Sequence, residues 1–281
     1  MHTCRICGWT GEAHSFTAKE MFYGTKEEFD YFECGNCHCM QIEEVPANLG
    51  KYYENTYYSY KQPPIAPANT TTSTDNTAIL DVGCGSGEFL CKLAQMGCTN
   101  LTGCDPFIEN NIVYENGVHI YKREIHDMTG QFDGIFLNDS FEHVTDPHEV
   151  MISIKRLLSP KGIAQIKIPV HPNIAFELFK ENWYQLDAPR HIFIHTQESM
   201  EYLAKEHGLT IVKTQYDSNS AQIIHSYFYT LGVPLCEHSK KLISQHFTEN
   251  ELKELRESSD LANQNECGDH AIFYLAHANN S

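Results

Sequence analysis

Asp81, Gly83, Gly85 and Gly87 stand in the order D-x-G-x-G-x-G directly after the apolar pair Ile79-Leu80. Glycine lets a ligand lie against bare backbone and accepts the positive φ that a tight turn demands. A carboxylate beside such a turn repels a pyrophosphate but suits a cationic amine. Two phosphate-binding signatures fail here. The dinucleotide fingerprint needs glycine or alanine where Glu88 stands, and no Gly-Lys-Ser/Thr triplet occurs. Asp105 follows Gly83 by 22 residues, where an acidic side chain can accept both hydroxyls of a ribose. Its other use is to cap a helix beginning near Ile108. A second chemistry lies near the N-terminus. Cys4-x-x-Cys7 and Cys34-x-x-Cys37 are knuckles whose four thiolates can close a tetrahedral Zn²⁺ site, leaving no position open for catalysis. His38 and Cys39 are spare donors, so Cys39 could replace Cys37, and a redox dithiol is the competing use of either pair.

These side chains need elements to hold them. Residues 79–82 read as a buried parallel strand and 88–94 as the helix after the glycine turn, which puts a small-molecule site at that strand's carboxyl end. Strand patterns at 101–104, 118–121, 132–138, 163–169 and 209–215 alternate with helical ones at 149–158 and 197–207, and a final strand reads at 271–276. That alternation predicts an α/β fold around a parallel sheet. A segment at 217–268 interrupts it, apolar and aromatic first, then charged and helical. Such an insertion can serve as a lid, with Gln222, His225, Tyr227 and Tyr229 as candidates to line an acceptor site, or as a dimer contact. In the first 50 residues Phe16, Phe22, Phe29, Tyr31 and Phe32 are too few for a self-sufficient core, and zinc would supply the missing stability. A tyrosine-rich stretch at 51–60 suits inter-domain packing or stacking, and the Pro-, Thr- and Asn-rich residues after it read as a linker. The chain-order division is a zinc-binding module at 1–50, a connecting segment at 51–76, and the α/β domain at 77–281.

The stretch 78–90, AILDVGCGSGEFL, resembles motif I of class I S-adenosylmethionine-dependent methyltransferases. The resemblance implies a Rossmann-like seven-stranded sheet with helices on both faces, its last strand antiparallel between the fifth and sixth. It implies that Asp81 holds the cofactor's methionine amine, directly or through water, and that Gly83, Gly85 and Gly87 line the cofactor. It further places Asp105 on the ribose, Asp127 with Met128 near the adenine, and Asn138 beside the methionine end. Asp139-x-x-Glu142-His143 is similar to the E-x-x-E-H of some small-molecule O-methyltransferases, including those of quinone biosynthesis, that bind a divalent cation there. Asp139 is one methylene shorter than that pattern. His143 can also act as a general base, or with Glu142 cap the next helix. Residues 182–191 resemble the W…D-x-P-R-H stretch of a branch that serves polysaccharide and natural-product tailoring. There Trp183 would stack on a sugar or ring, Arg190 would pair with a phosphate or carboxylate, and His191 would be a base or metal donor. A packed loop, with Trp183 in the core and Arg190 paired to Asp187, is the other reading.

Acidic residues number 37 against 20 basic ones, which disfavours nucleic acid as a partner because that binding rests on Lys and Arg neutralising phosphates. The module's Glu27, Glu28, Asp30, Glu33, Glu43 and Glu44 point the same way, toward a scaffolding or substrate-capping role. No apolar run approaches the ~20 residues of a membrane span, and MHTCRICGWT is no signal peptide. Eleven cysteines then suit a reducing compartment, so a cytoplasmic protein with no membrane partner is expected. The expected function is methyl transfer from S-adenosylmethionine to a small-molecule acceptor, a carbohydrate or nucleotide-sugar metabolite. The alternatives are a metal-assisted O-methyltransferase acting on a quinone- or catechol-like ring, and a non-catalytic zinc-module adaptor that binds the cofactor.

Overall fold

The computed structural model describes residues 1–53 and 75–278. The tyrosines beyond Tyr53 and nearly all of the expected linker lie outside the described residues. Five short strands open the chain: β1 (His2–Thr3), β2 (Thr10–Gly11), β3 (His14–Lys19), β4 (Glu28–Glu33) and β5 (Met40–Ile42). Alternating elements follow: β6 (Ile79–Val82), α1 (Glu88–Gln95), β7 (Leu101–Cys104), β8 (Ile112–Val113), β9 (His119–Tyr121), β10 (Phe132–Asn138), α2 (Pro147–Leu157) and β11 (Leu158–Pro169). The chain then runs through α3 (Ile174–Phe179), β12 (Phe193–Ile194), α4 (Gln197–Glu206), β13 (Leu209–Tyr216), α5 (Ala221–Thr230), α6 (Lys240–His246), α7 (Glu249–Gln264) and β14 (His270–His277).

Packing divides the chain into two compact units. One holds Tyr53–Lys167, Leu203–Lys213 and Phe273–Ser281; the other holds Met1–Tyr52, Ile168–Tyr202 and Thr214–Ile272. The large sheet has the order β13-β14-β11-β10-β6-β7-β9-β8. Its first seven members in that order are the expected strands, with β14 between β11 and β13; β8 is a two-residue addition that pairs antiparallel with β9 at the edge. Strand β6 is buried along all four residues, flanked in parallel register by β10 and β7 and with Ile79 packed against α1. Helix α1 buries Leu90, Cys91 and Ala94 in a cluster with Ile79, Leu101, Val118 and Ile120. Fully burying a side chain such as Leu90 stabilises by ~2 kcal/mol. Helix α2 begins where the sequence says it should: Asp146 accepts from the Glu149 N–H at 3.1 Å, and Pro147 takes the first turn.

No helix begins near Ile108 among the described residues, against one expectation for Asp105. Asn110 and Asn111, followed by β-branched Ile112 and Val113, disfavour helix, and Asn111 instead accepts from the Lys122 N–H at 2.8 Å in the β8–β9 hairpin.

In the other unit packing groups the chain differently from its linear order. The sheet of the cysteine-bearing segment runs β12-β5-β4-β3, so Phe193 and Ile194, far along the chain, complete it by pairing with Gln41 and Met40. Tyr31 donates to the His191 carbonyl at 2.9 Å, Thr196 to the Cys37 carbonyl at 2.7 Å, and the Leu235 N–H to the Met21 carbonyl at 2.8 Å. A segment too small to bury its own apolar face recruits these partners, which come from residues 191–196 and from the insertion.

Candidate active site

The turn after β6 is built from glycine for steric reasons. Gly83, Gly85 and Gly87 have φ of 70°, 52° and 84°. A Cβ on Gly83 would come within 2.6 Å of the Ser140 Cβ, and one on Gly87 within 2.3 Å of the Ile120 side chain. Ser140, just past β10, donates to the Val82 carbonyl at 2.9 Å, which holds the end of β10 against the turn. Behind it Asp81 is 3% exposed, and burial, then the nearby Asp105, push its carboxyl up to about 8, with a hydrogen bond from Asn138 acting the other way. A buried carboxyl of this kind fits a cationic ammonium, whose arrival would restore its charge. Asp105 is buried too, and burial raises its carboxyl. Its two oxygens accept from the Gly85 N–H at 2.9 Å and the Phe107 N–H at 2.8 Å, so it ties the glycine turn to the end of β7. A carboxylate has about four acceptor positions, which leaves room for ribose hydroxyls as well. Asn138 accepts from Gln165 at 3.2 Å. Asp127 is exposed on the short turn Ile125–Asp127, and Met128 next to it is buried.

On the rim, His143 ends the 3-10 turn Phe141–His143 and its Nδ1 lies 3.1 Å from the Tyr53 hydroxyl. The Tyr53 ring stacks on Phe107 at 5.7 Å and meets His143 edge-on at 5.9 Å. Asp139 has φ 51°, a left-handed residue, so the run from Asp139 to His143 is not a continuous right-handed helical turn. Among the described residues, no grouping of ligand atoms within 4.8 Å contains Asp139.

His191 and Arg190 belong to the other unit. His191 Nδ1 donates to the Gln185 carbonyl at 2.6 Å and its Nε2 lies 3.8 Å from Asp187. Arg190 is fully buried: its guanidinium pairs with Asp187 (Nε to Oδ2 2.8 Å) and Glu20 (3.3 Å) and lies over the Phe22 ring. Trp183 is equally buried and donates to Asp269 at 3.0 Å. Both side chains take the packed-loop role. Of the insertion's candidates, His225 faces His238 (Nδ1 to Nδ1 2.8 Å), Gln222 contacts Ser259, Tyr227 reaches His246, and Tyr229 is buried.

The ligand sulfurs of Cys4, Cys7, Cys34 and Cys37 all lie within 4.8 Å of one another, with Cys4 to Cys37 at 3.7 Å and Cys7 to Cys34 at 3.6 Å. Four bonds of ~2.3 Å to a tetrahedral zinc would set sulfurs about 3.8 Å apart. The Ile6 and Cys7 N–H groups point at Cys4 Sγ, and those of Asn36 and Cys37 at Cys34 Sγ, each at 3.4 Å. Gln41 adds a donor to Cys4 at 2.8 Å. Such donors stabilise thiolates. Cys39 is turned away: it is buried, burial raises its thiol well above the ordinary value, and its Sγ contacts the Met40 carbonyl and His195.

A sequence profile of the methyltransferase domain matches residues 60–214, more than half of the chain. The chain belongs to the methyltransferase family. The motif I resemblance and the Rossmann-like fold are thereby borne out. The chain is 36% identical over 95 residues to the ubiquinone biosynthesis O-methyltransferase of Pseudomonas aeruginosa, covering 30% of this chain and 40% of that protein. It is 32% identical over 108 residues to EEF1A lysine methyltransferase 2 of Danio rerio, covering 31% and 46%. It therefore spans less than half the length of either relative. A solved O-methyltransferase from a trans-AT PKS multienzyme of Brevibacillus brevis, in complex with S-adenosyl-L-homocysteine, is 16% identical with a TM-score of 0.43, over 72% of this chain and 67% of that one. No described helix of the chain is long and apolar enough to cross a membrane. Sequence reasoning missed Ser140, Phe107 and Tyr53 at this site. Phe107 was legible as the residue two beyond Asp105, whereas Tyr53 was lost in a run of tyrosines.

Proposed function

We propose that this methyltransferase transfers a methyl group from S-adenosylmethionine to a hydroxyl oxygen of a small-molecule acceptor. The observation that carries this reading is the buried Asp81 carboxyl behind a glycine turn, joined by Asp105 and Asn138. Asp81 would hold the amine, Asp105 the ribose, and Asn138 the methionine end. Bound S-adenosylmethionine would supply a methyl group on an already electrophilic sulfonium, so the protein need only align and deprotonate the acceptor. His143, on the loop after β10, is the group we assign to accept the acceptor's proton. His191, whose Nδ1 donates to the Gln185 carbonyl, is the second candidate for that role. The four cysteines would hold one structural zinc, closed to chemistry.

An oxygen acceptor is favoured by the Pseudomonas relative, whose name is that of an O-methyltransferase. A carbohydrate acceptor rests on the resemblance around Trp183–His191, in which Trp183 and Arg190 are engaged in packing. A cation at Asp139, Glu142 and His143 has the left-handed Asp139 against it. The test is incubation of zinc-replete protein with S-adenosylmethionine and fractionated small metabolites. Formation of S-adenosylhomocysteine together with a product heavier by one methylene supports the reading. Tight cofactor binding without turnover on any fraction would favour the adaptor instead.

A further inference from the structure

Strand β6 lies between β10 and β7, and neighbouring strands in a sheet are ~4.8 Å apart. Phe107 follows β7 and His143 follows β10, so the carboxyl ends that carry them are separated by the width of β6. One ring, Tyr53, touches both, at 5.7 Å and 5.9 Å between centroids. A ring in contact with both flanks lies above the carboxyl end of β6, where Asp81 and the Gly83 turn are. Its hydroxyl is also 3.1 Å from His143 Nδ1. The ring is stacked flat on Phe107, with 7° between planes, and Phe107 is itself anchored by its N–H to Asp105.

We propose that Tyr53 roofs the cofactor cleft and is the positioning residue for His143, its oxygen accepting from Nδ1–H so that Nε2 presents its lone pair to the acceptor. This rests on the methyl-transfer reading above. It accounts for what His143 alone lacks. A neutral imidazole exists as two tautomers, and only the one protonated at Nδ1 can take a proton at Nε2. When Nε2 gains the acceptor's proton, the Nδ1–H to Tyr53 bond persists and strengthens as the ring becomes cationic. The aromatic face over the cleft also excludes water and offers a π surface to a sulfonium.

The experiment compares wild type with Tyr53→Phe and Tyr53→Ala, each checked for folding by circular dichroism. Imidazole ¹⁵N spectra of ligand-free protein, with His143 assigned through His143→Gln, report the tautomer. Dissociation of radiolabelled S-adenosylhomocysteine, chased with unlabelled compound, reports the roof. Tyr53→Phe is expected to keep S-adenosylhomocysteine affinity within about twofold while moving the His143 signals away from the Nδ1–H form. Tyr53→Ala is expected to speed dissociation by about tenfold, the size of a lost aromatic contact. A merely structural tyrosine would leave the tautomer untouched in Tyr53→Phe. His143 signals that do not change in Tyr53→Phe, or a dissociation rate that does not change in Tyr53→Ala, overturn the proposal. Wild-type protein that binds no S-adenosylhomocysteine overturns the methyl-transfer reading and the roof together, whereas a bound ligand indifferent to Tyr53 overturns the roof alone.

Discussion

Asp81 and Arg190 are both buried ionisable side chains, and what surrounds each of them differs. Arg190 has two carboxylates within reach, Asp187 and Glu20, and two aromatic rings beside it. Asp81 has a second acid, Asp105, as its charged neighbour, and its carboxyl is pushed up to about 8. Replacing Arg190 by Met should therefore unfold the protein far more readily, by about 3–5 kcal/mol, since Glu20 and Asp187 are left buried without a counter-charge. Lysine should not rescue it, because a point charge cannot reproduce the fork. Denaturant midpoints check this. For Asp81 the sign is set by a folded-state value above the unfolded one of ~3.9. The unfolded chain gives up this proton first as pH rises, so the group's contribution is fullest below ~4 and is lost as pH climbs toward 8. Melting temperatures of ligand-free Asp81→Asn protein should accordingly gain on wild type between pH 5 and 8, and a parallel pair of curves would refute the assignment. Both residues were conspicuous in the sequence, but the partner Glu20, far from Arg190 along the chain, was not, and that is why a substrate role for Arg190 stayed open.

At the scale of elements, the strand–turn–helix from β6 to α1 was legible because each part carries a local signal: a short apolar run, three glycines, then helical spacing. The hairpin after Asp105 was not, since a two-residue strand has no periodicity to read and Asp-Pro suggests a helix start. The turn itself is the part least tolerant of change. Gly83→Ala should combine a left-handed alanine, about 1–2 kcal/mol, with a collision at Ser140 that would pull the end of β10 out of place. We expect at least tenfold weaker binding of S-adenosylhomocysteine by calorimetry. Gly117→Ala is the matched control, with φ 87° but open space where its Cβ would go, and should lower the melting temperature while leaving that affinity intact.

At the scale of the molecule, seven of the eight strands of the large sheet could be read from the sequence pattern, whereas the packing of the cysteine-bearing unit could not. Its sheet is finished by Phe193 and Ile194, and Leu235 and Cys236 hydrogen-bond to Met21 and Phe22, contacts between segments with no sequence pattern in common. The cysteines themselves were legible by spacing, but the choice between Cys37 and Cys39 needed coordinates. Cys37→Ser should lose zinc, measured with a colorimetric chelator against about one ion per chain in wild type, and should unfold the unit it staples. Cys39→Ser should retain the ion, because its sulfur faces the Met40 carbonyl and His195. On the proposed function, cofactor binding depends on a carboxylate meeting a cationic amino acid moiety at the end of β6. The most direct measurement is titration calorimetry of zinc-replete protein with S-adenosylhomocysteine at pH 8, wild type beside Asp81→Asn. Saturable binding that weakens by about 10-fold or more in the variant, the worth of a charge-assisted hydrogen bond, is the expected result. Equal affinity in the two proteins, or no heat in either, would contradict it.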